Sequence, residues 1–163
     1  MNMKSSWLIE KLLTEIKDSE IEKEVISCII QLLKNDHELF ETKANERSIS
    51  HKLAEYLQQR FPEWHVDCEY NRYGRDIKRL KEGEEHRVYP DIIVHMRNTA
   101  YNLLVIELKC SDVDDPDDIE KLQGFTSERG EFKYRLGLFL KITKDGIEMK
   151  WFKNGRQLLE YKL

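Results

Sequence analysis

Two apolar segments separated by only four residues place the strongest limit on the fold. Val88–Met96 and Tyr101–Leu108 are rich in β-branched residues and carry apolar side chains on both faces. Strands of this kind are typical of the centre of a sheet that is covered on each side. The short connection at residues 97–100 predicts that the two strands form a hairpin. We therefore expect a layered α/β domain with a mixed sheet.

The residues before this hairpin predict helices and one further strand. Residues 5–44 carry apolar residues at helical spacing, with breaks expected near Lys17–Glu20 and Lys34–His37. A further helix is predicted at about residues 45–60. Trp64–Tyr70 alternates apolar and polar residues, as a half-buried strand does. The polar residues 72–86, which contain two glycines, indicate a loop or a long hairpin tip.

The residues after the hairpin predict a helix and three strands. Asp115 is a candidate N-cap for a helix that begins at Pro116 and ends near Gln123, with Gly124 as its stop signal. A buried strand is expected over Tyr134–Ile142. The last predicted element is a hairpin of Ile147–Lys153 and Arg156–Tyr161, joined by a type I′ turn at Asn154 and Gly155.

Length and composition set the class of protein. A chain of 163 residues suits one domain, so we divide it into a helical extension (1–44) packed on an α/β domain (45–163). A net charge of −4 excludes a global basic field, although a local basic groove remains compatible with it. The three cysteines lack metal-binding spacing, and no segment approaches 18 apolar residues. These features predict a cytoplasmic protein that neither crosses nor binds a membrane.

The hairpin also predicts a pair of opposed carboxylates. If the hairpin is symmetric about Thr99, Asp91 lies directly opposite Glu107, with their Cβ atoms roughly 4.5–5.5 Å apart. Lys109, two residues beyond Glu107, points to the same face of the sheet. Like charges at this separation repel each other, and a divalent cation between them removes the repulsion. The alternative is that Asp91 occupies a strand-entry turn while Glu107 and Lys109 lie on a solvated edge.

The three residues together indicate metal-assisted hydrolysis of phosphodiester bonds. Mg²⁺ is commonly held by one or two carboxylates together with water and substrate phosphate. A lysine beside the two carboxylates could orient the attacking water or offset the charge that builds on the phosphate. This arrangement fits metal-ion catalysis better than proton transfer by a single acid.

Glu46 is a further candidate for the same site. It lies three residues before Ile49 and seven before Leu53, so it projects from the apolar face of its predicted helix. A carboxylate on that face is unusual and could reach the metal site. Alternatively, Glu46 is a first-turn glutamate that interacts favourably with the helix dipole.

At these residues the chain resembles the PD-(D/E)xK nuclease superfamily, to which many restriction enzymes and junction resolvases belong. Pro90–Asp91 and Glu107–Lys109 match the superfamily's signature, and Glu46 matches an acidic residue that many members carry upstream. The predicted order of helix, three-strand meander, helix and strand is similar to the restriction-endonuclease-like core. The resemblance covers roughly residues 44–142, without the N-terminal helices or the C-terminal hairpin.

The resemblance implies a metal-dependent endonuclease that most often acts on DNA. Asp91 and Glu107 would bind Mg²⁺ or Mn²⁺, and the carbonyl group of Leu108 could add a ligand. Lys109 would position or activate the water molecule. Glu46 would complete the metal shell directly or through water.

Other polar residues carry weaker signals. Gln123 occupies a position where some members of the superfamily place a polar active-site residue, although a surface position is the simpler interpretation. His51 and Tyr134 could approach the site, but structural roles are favoured for both. The acidic run at residues 112–120 is best explained by helix capping. The polar loop holds basic residues that could contact phosphates but alternate with acidic ones, as in a solvated loop: Arg72, Arg75, Lys78, Arg79 and Arg87.

Two other functions remain open at the level of sequence. The fold could serve as a non-catalytic module that binds nucleic acid or a protein partner. In that case the helices of residues 5–44 would provide a docking surface or a homodimer interface. A nuclease specific for RNA or for branched DNA is a further alternative that the residues do not separate from a DNA endonuclease.

Overall fold

The computed structural model describes residues 17–42, 44–70, 72–73, 76–77, 89–111, 113, 116–143 and 146–162, with backbone alone at 72–73 and 76–77. The described helices are α1 (Asp18–Asn35), α2 (Glu38–Glu41), α3 (Glu46–Arg60) and α4 (Pro116–Thr126). The strands are β1 (His65–Cys68), β2 (Arg72–Tyr73), β3 (Asp76–Ile77), β4 (Ile92–His95), β5 (Asn102–Lys109), β6 (Leu136–Thr143), β7 (Gly146–Lys153) and β8 (Arg156–Lys162).

Six of these strands form one mixed sheet. Their order is β1-β4-β5-β6-β7-β8, while β2 and β3 pair with each other in a separate two-stranded ladder. Strands β5 and β6 run parallel, and the other neighbours in the sheet are antiparallel. A parallel pair needs a crossover connection, and α4 provides it. The fold is therefore mixed α/β, as the sequence predicts.

Helices cover the central strands on both faces. One face of β4 and β5, which includes Ile92 and Ile106, belongs to the same apolar cluster as the buried residues of α1 and α3. The opposite face, which includes Ile93 and Val105, belongs to a second cluster with Leu122 and Phe125 of α4 and residues of β6 and β7. This arrangement explains why both strands are apolar on both faces.

The helix boundaries agree with most of the predicted breaks. α1 begins at Asp18 and ends at Asn35, and α3 begins at Glu46 and ends at Arg60. The predicted stop at Gly124 is wrong, because α4 continues through Phe125 to Thr126. Both of these last side chains are buried, and the Thr126 hydroxyl donates a hydrogen bond of 2.8 Å to the Leu122 carbonyl. Their packing outweighs the roughly 0.5–1 kcal/mol that a glycine costs inside a helix.

Both predicted hairpins are present. Ile92 pairs with Ile106 and Ile93 with Val105, which confirms the register expected for a hairpin symmetric about Thr99. A register shift next to Val94 affects only the end of the hairpin close to the turn. The C-terminal hairpin turns at Asn154 (φ 53°) and Gly155 (φ 74°), the two positive φ angles that a type I′ turn requires.

Several predictions fall on parts of the chain that the structure does not describe. Residues 5–16 and the candidate N-cap Asp115 lie outside the described residues. So do the side chains of the five basic candidates for phosphate contact, Arg72, Arg75, Lys78, Arg79 and Arg87. Among the described residues, no helix combines the length and the apolar character that a bilayer span requires.

Candidate metal centre

Asp91, Glu107 and Lys109 lie on one face of the sheet. The paired residues begin with Ile92 and Ile106, and the same register extended by one residue would place Asp91 opposite Glu107. Because side chains two residues apart share a face, Asp91, Glu107 and Lys109 all face the layer that contains α4. The sequence prediction of an opposed carboxylate pair therefore agrees with the strand register.

The Asp91 side chain is held at the start of β4 by the neighbouring strand. Its Oδ2 atom accepts a hydrogen bond of 2.7 Å from the backbone N–H of Leu108. Burial raises the pKa of the Asp91 carboxyl, and the negative charges of Asp118 and Glu46 act in the same direction. The Leu108 hydrogen bond and the charge of Lys109 oppose this rise without cancelling it. Asp91 therefore lies in a site crowded with negative charge.

Glu107 is almost completely buried. Glu107 is only 3% exposed, and its Oε1 atom has no hydrogen-bond partner among the described residues. Burial raises the pKa of Glu107 well above its ordinary value, and the charge of Asp91 raises it further. Buried polar atoms nearly always have partners, so this carboxylate oxygen is a suitable place for a water molecule or a cation.

Asp118 of α4 joins this group, which the sequence analysis did not predict. Asp118 is 2% exposed, and its Oδ1 atom lies 2.7 Å from Nζ of Lys121. Nζ of Lys109 lies 3.1 Å from the Oδ2 atom, which is an ion-pair distance without the geometry of a hydrogen bond. Asp118 lies in the acidic first turn of α4, as predicted, but its carboxylate is also buried and pairs with two lysines.

A signal for Asp118 is nonetheless present in the sequence. Asp118 precedes Leu122 by four residues and Phe125 by seven, and both of these side chains are fully buried. Residues at this spacing share one face of a helix. The same reasoning that selects Glu46 would have selected Asp118, had the acidic first turn not offered a simpler explanation.

Glu46 approaches the site from α3, which packs on the face of the sheet opposite α4. It is the first residue of α3, is half-buried, and its Oε2 atom accepts a hydrogen bond of 2.8 Å from the backbone N–H of Cys110. Cys110 directly follows Lys109, and the charge of Glu46 contributes to the raised pKa of Asp91. Glu46 is therefore turned towards the end of β5, where Asp91 and Lys109 also lie.

The structure does not bring the other candidates to this place. Gln123 is exposed and lies five residues beyond Asp118, which puts it on a different face of α4. His51 is exposed on α3. Tyr134 is 1% exposed and packs its ring 5.9 Å from that of Phe125 in the apolar cluster next to α4. These positions agree with a surface role for Gln123 and a structural role for Tyr134.

The charges at the site fit a divalent cation. Within the described part of the chain, no three His, Cys, Asp or Glu side chains stand close enough to hold a metal by themselves. Mg²⁺ does not require three, because water and substrate phosphate supply its remaining ligands. Four acids interact here with two lysines: Asp91, Glu107, Asp118 and Glu46 with Lys109 and Lys121. If all six side chains are ionised, two negative charges remain uncompensated.

Glu107→Gln is expected to stabilise the metal-free protein at neutral pH. Below pH 4 the side chain is protonated in both states, and the substitution has little effect. As the pH rises, the unfolded chain ionises first because burial raises the pKa of folded Glu107, so the wild-type protein loses stability relative to the variant. We expect a gain of about 1–3 kcal/mol in the free energy of unfolding at pH 7, because the neutral amide avoids the cost of moving an ionisable carboxyl group from water into the buried site.

Denaturant unfolding in EDTA at pH 4, 5.5 and 7 measures this effect, with Glu128→Gln at an exposed position as the control. A difference that is absent at pH 7, or that does not grow with pH, would contradict the raised pKa that burial gives Glu107 in the folded protein.

Comparison with known proteins does not identify the chain. No protein-family model matches its sequence, and no curated protein matches it significantly. The inference about function therefore rests on the arrangement of the residues described above.

Proposed function

We propose that this protein is a metal-dependent nuclease of the PD-(D/E)xK type that hydrolyses phosphodiester bonds, with DNA as its substrate. The observation that carries the proposal is the buried Oε1 atom of Glu107, which has no hydrogen-bond partner among the described residues and lies on the same strand face as Lys109. A purely structural acid in this position would be expected to have its hydrogen bonds satisfied.

The order of elements supports the proposal. Helix α3 is followed by the antiparallel strands β1, β4 and β5, then by α4, and then by β6 parallel to β5. This order agrees with the one expected from the resemblance over residues 44–142. The small β2–β3 ladder lies in the connection between β1 and β4.

Four residues could hold the metal ion. Asp91 and Glu107 would provide carboxylate oxygens, the carbonyl group of Leu108 lies between Glu107 and Lys109 in the chain, and Glu46 would act directly or through water. A bound Mg²⁺ or Mn²⁺ ion supplies Lewis acidity and lowers the pKa of bound water. The hydrogen bond from the Leu108 N–H holds the Asp91 carboxylate in place for this role.

Lys109 would act on the substrate and not on the metal. A protonated lysine has no lone pair, so it cannot be a metal ligand. Its side chain is 21% exposed, and its Nζ atom is held 3.1 Å from the buried Asp118 carboxylate. From there the ammonium group would orient the attacking water and stabilise the charge that develops on the scissile phosphate. Asp118 would hold this group in position.

One observation favours a second candidate, a non-catalytic module that keeps this fold to bind nucleic acid or protein. The Asp118 carboxylate already pairs with both Lys109 and Lys121. A buried ionic network of this kind can also serve a purely structural purpose. In that case the site would bind no divalent cation and the chain would cleave no nucleic acid.

A cleavage assay separates the two candidates. Plasmid, single-stranded DNA and RNA are incubated with the protein in Mg²⁺, Mn²⁺ or EDTA. We expect DNA cleavage that requires the metal and stops in EDTA. If the protein cleaves RNA and not DNA, the same mechanism acts on RNA. If it neither cleaves nucleic acid nor binds Mn²⁺, the non-catalytic module is supported.

A further inference from the structure

A cavity of about 790 Å³ lies beside the candidate metal centre. It is enclosed by α2, the start of α3 and the ends of β5 and β6. We propose that this cavity binds an unpaired nucleobase of the substrate, next to the phosphate that is cleaved. The choice of ligand rests on the proposed function. The proposal adds that the preferred substrate is a single strand, a frayed end or a branched structure, because a base inside a duplex cannot enter.

The cavity and the metal centre lie at the same end of β5, on opposite faces of the sheet. Strands β5 and β6 are parallel, so their carboxyl ends meet at the same edge of the sheet, where α/β proteins often bind ligands. Cys110 and Ser111 line the cavity and directly follow Lys109 in the chain. Glu46 also lines it and is bonded to the backbone of Cys110. A nucleic-acid strand that passes over the end of β5 from Asp91 and Glu107 would bring a neighbouring base to this cavity.

The walls of the cavity suit a flat apolar ring. Phe40, Ile49 and Ile142 line it, and Phe40 is only partly buried by the rest of the protein. Its volume lies within the range of roughly 300–1,000 Å³ that is usual for small-molecule sites. Stacking of bases on aromatic side chains is the common way in which proteins hold unpaired nucleotides.

The charges at the rim select the base over the phosphate. Glu41 lines the cavity and is exposed, and its carboxylate would repel a phosphate group. Carboxylates accept hydrogen bonds from the exocyclic amino groups of adenine, cytosine and guanine. The Asn45 Oδ1 atom already caps α3 by accepting from the Ser48 N–H at 2.9 Å, which leaves its amide nitrogen as a donor for a base. The rim thus favours bases that carry an amino group.

Direct binding of nucleosides tests the cavity without any cleavage. Adenosine, cytidine and uridine carry the base without a phosphate and are titrated into the full chain in EDTA, followed by NMR of labelled phenylalanine. We expect shifts of the Phe40 signals. Ala44→Trp, which places a large ring in the cavity, should weaken binding about 10- to 100-fold, the equivalent of one stacked base. Ala100→Trp, the same change at an exposed turn, should leave it unchanged.

Glu41→Gln provides a second variant that keeps the fold, because Glu41 is exposed. It should weaken the binding of adenosine and cytidine several-fold and leave uridine, which has no amino group, nearly unaffected. Nucleosides that leave the Phe40 signals unchanged, or that bind Ala44→Trp as well as wild type, would overturn the proposal. So would an equal loss for all three nucleosides in Glu41→Gln.

Cleavage kinetics then connect the cavity to the reaction. Ala44→Trp is expected to raise KM for a single-stranded oligonucleotide about 10- to 100-fold, with kcat nearly unchanged. Cleavage without nucleoside binding would contradict the cavity proposal alone. Nucleoside binding without metal-dependent cleavage would contradict the nuclease function alone, so the two failures are distinguishable.

Discussion

Lys109→Ala is expected to lower the cleavage rate about 100- to 1,000-fold while metal binding and folding stay nearly intact, as for the loss of one donor that stabilises transition-state charge. The ammonium group of Lys109 would act on the phosphate, so its loss does not remove a metal ligand. The Asp118 carboxylate keeps Lys121 as a partner at 2.7 Å, so the substitution does not leave a buried charge alone.

Lys121→Ala is the matched control for this prediction, because it makes the same chemical change at the other partner of Asp118. We expect at most about a 10-fold loss of rate, since Lys121 would be only a charge in the surroundings of the site. Cleavage of a labelled DNA strand and calorimetric titration with Mn²⁺ are measured on both variants. Unchanged cleavage by Lys109→Ala would reject the proposed mechanism and favour the non-catalytic module.

Asp91→Ala is expected to lose metal binding and cleavage together. Removal of a carboxylate that would bind the metal directly should weaken Mn²⁺ binding by at least about 100-fold, the upper end of the effect seen for residues that only support a ligand. The alanine also leaves the Leu108 N–H without its acceptor. Asp91→Asn is therefore the sharper variant, because its amide oxygen can still accept that hydrogen bond.

Asp91→Asn should also be more stable than wild type in metal-free buffer at neutral pH. Burial and the neighbouring acids raise the pKa of Asp91, so its ionised form destabilises the folded state as the pH rises through that range. Mn²⁺ titration and thermal unfolding in EDTA measure both effects, with Glu128→Gln as a control that removes one exposed charge. If Asp91→Asn keeps its affinity for Mn²⁺, Asp91 is not a ligand of the metal.

The opposed position of Asp91 and Glu107 could be predicted from the sequence because it depends on local geometry. A four-residue connection and strands with a period of two residues determine which side chains face each other. The observed pairs Ile92–Ile106 and Ile93–Val105 follow that register. The type I′ turn of the C-terminal hairpin was predictable for the same reason, since Asn-Gly readily adopts two positive φ angles.

The helix end at Thr126 could not be predicted in this way. Gly124 is a common signal for the end of a helix, and local propensity therefore predicts a stop there. The helix continues because Phe125 and Thr126 are buried in contact with other elements, and the backbone N–H of Gly155 donates to the Thr126 hydroxyl at 3.3 Å. Tertiary packing overrides a local preference of this size.

The sequence alone determined the α/β class, the register of the β4–β5 hairpin and the shared strand face of Asp91, Glu107 and Lys109, because each depends on periodicity within a few residues. Only the tertiary structure decided which other charged side chains lie close to these three residues. Glu46 bonds to Cys110 across 64 positions of the chain, and Asp118 reaches Lys109 through the crossover helix α4. Such contacts depend on how helices pack against a sheet, and no local pattern specifies the side chain that will be buried there.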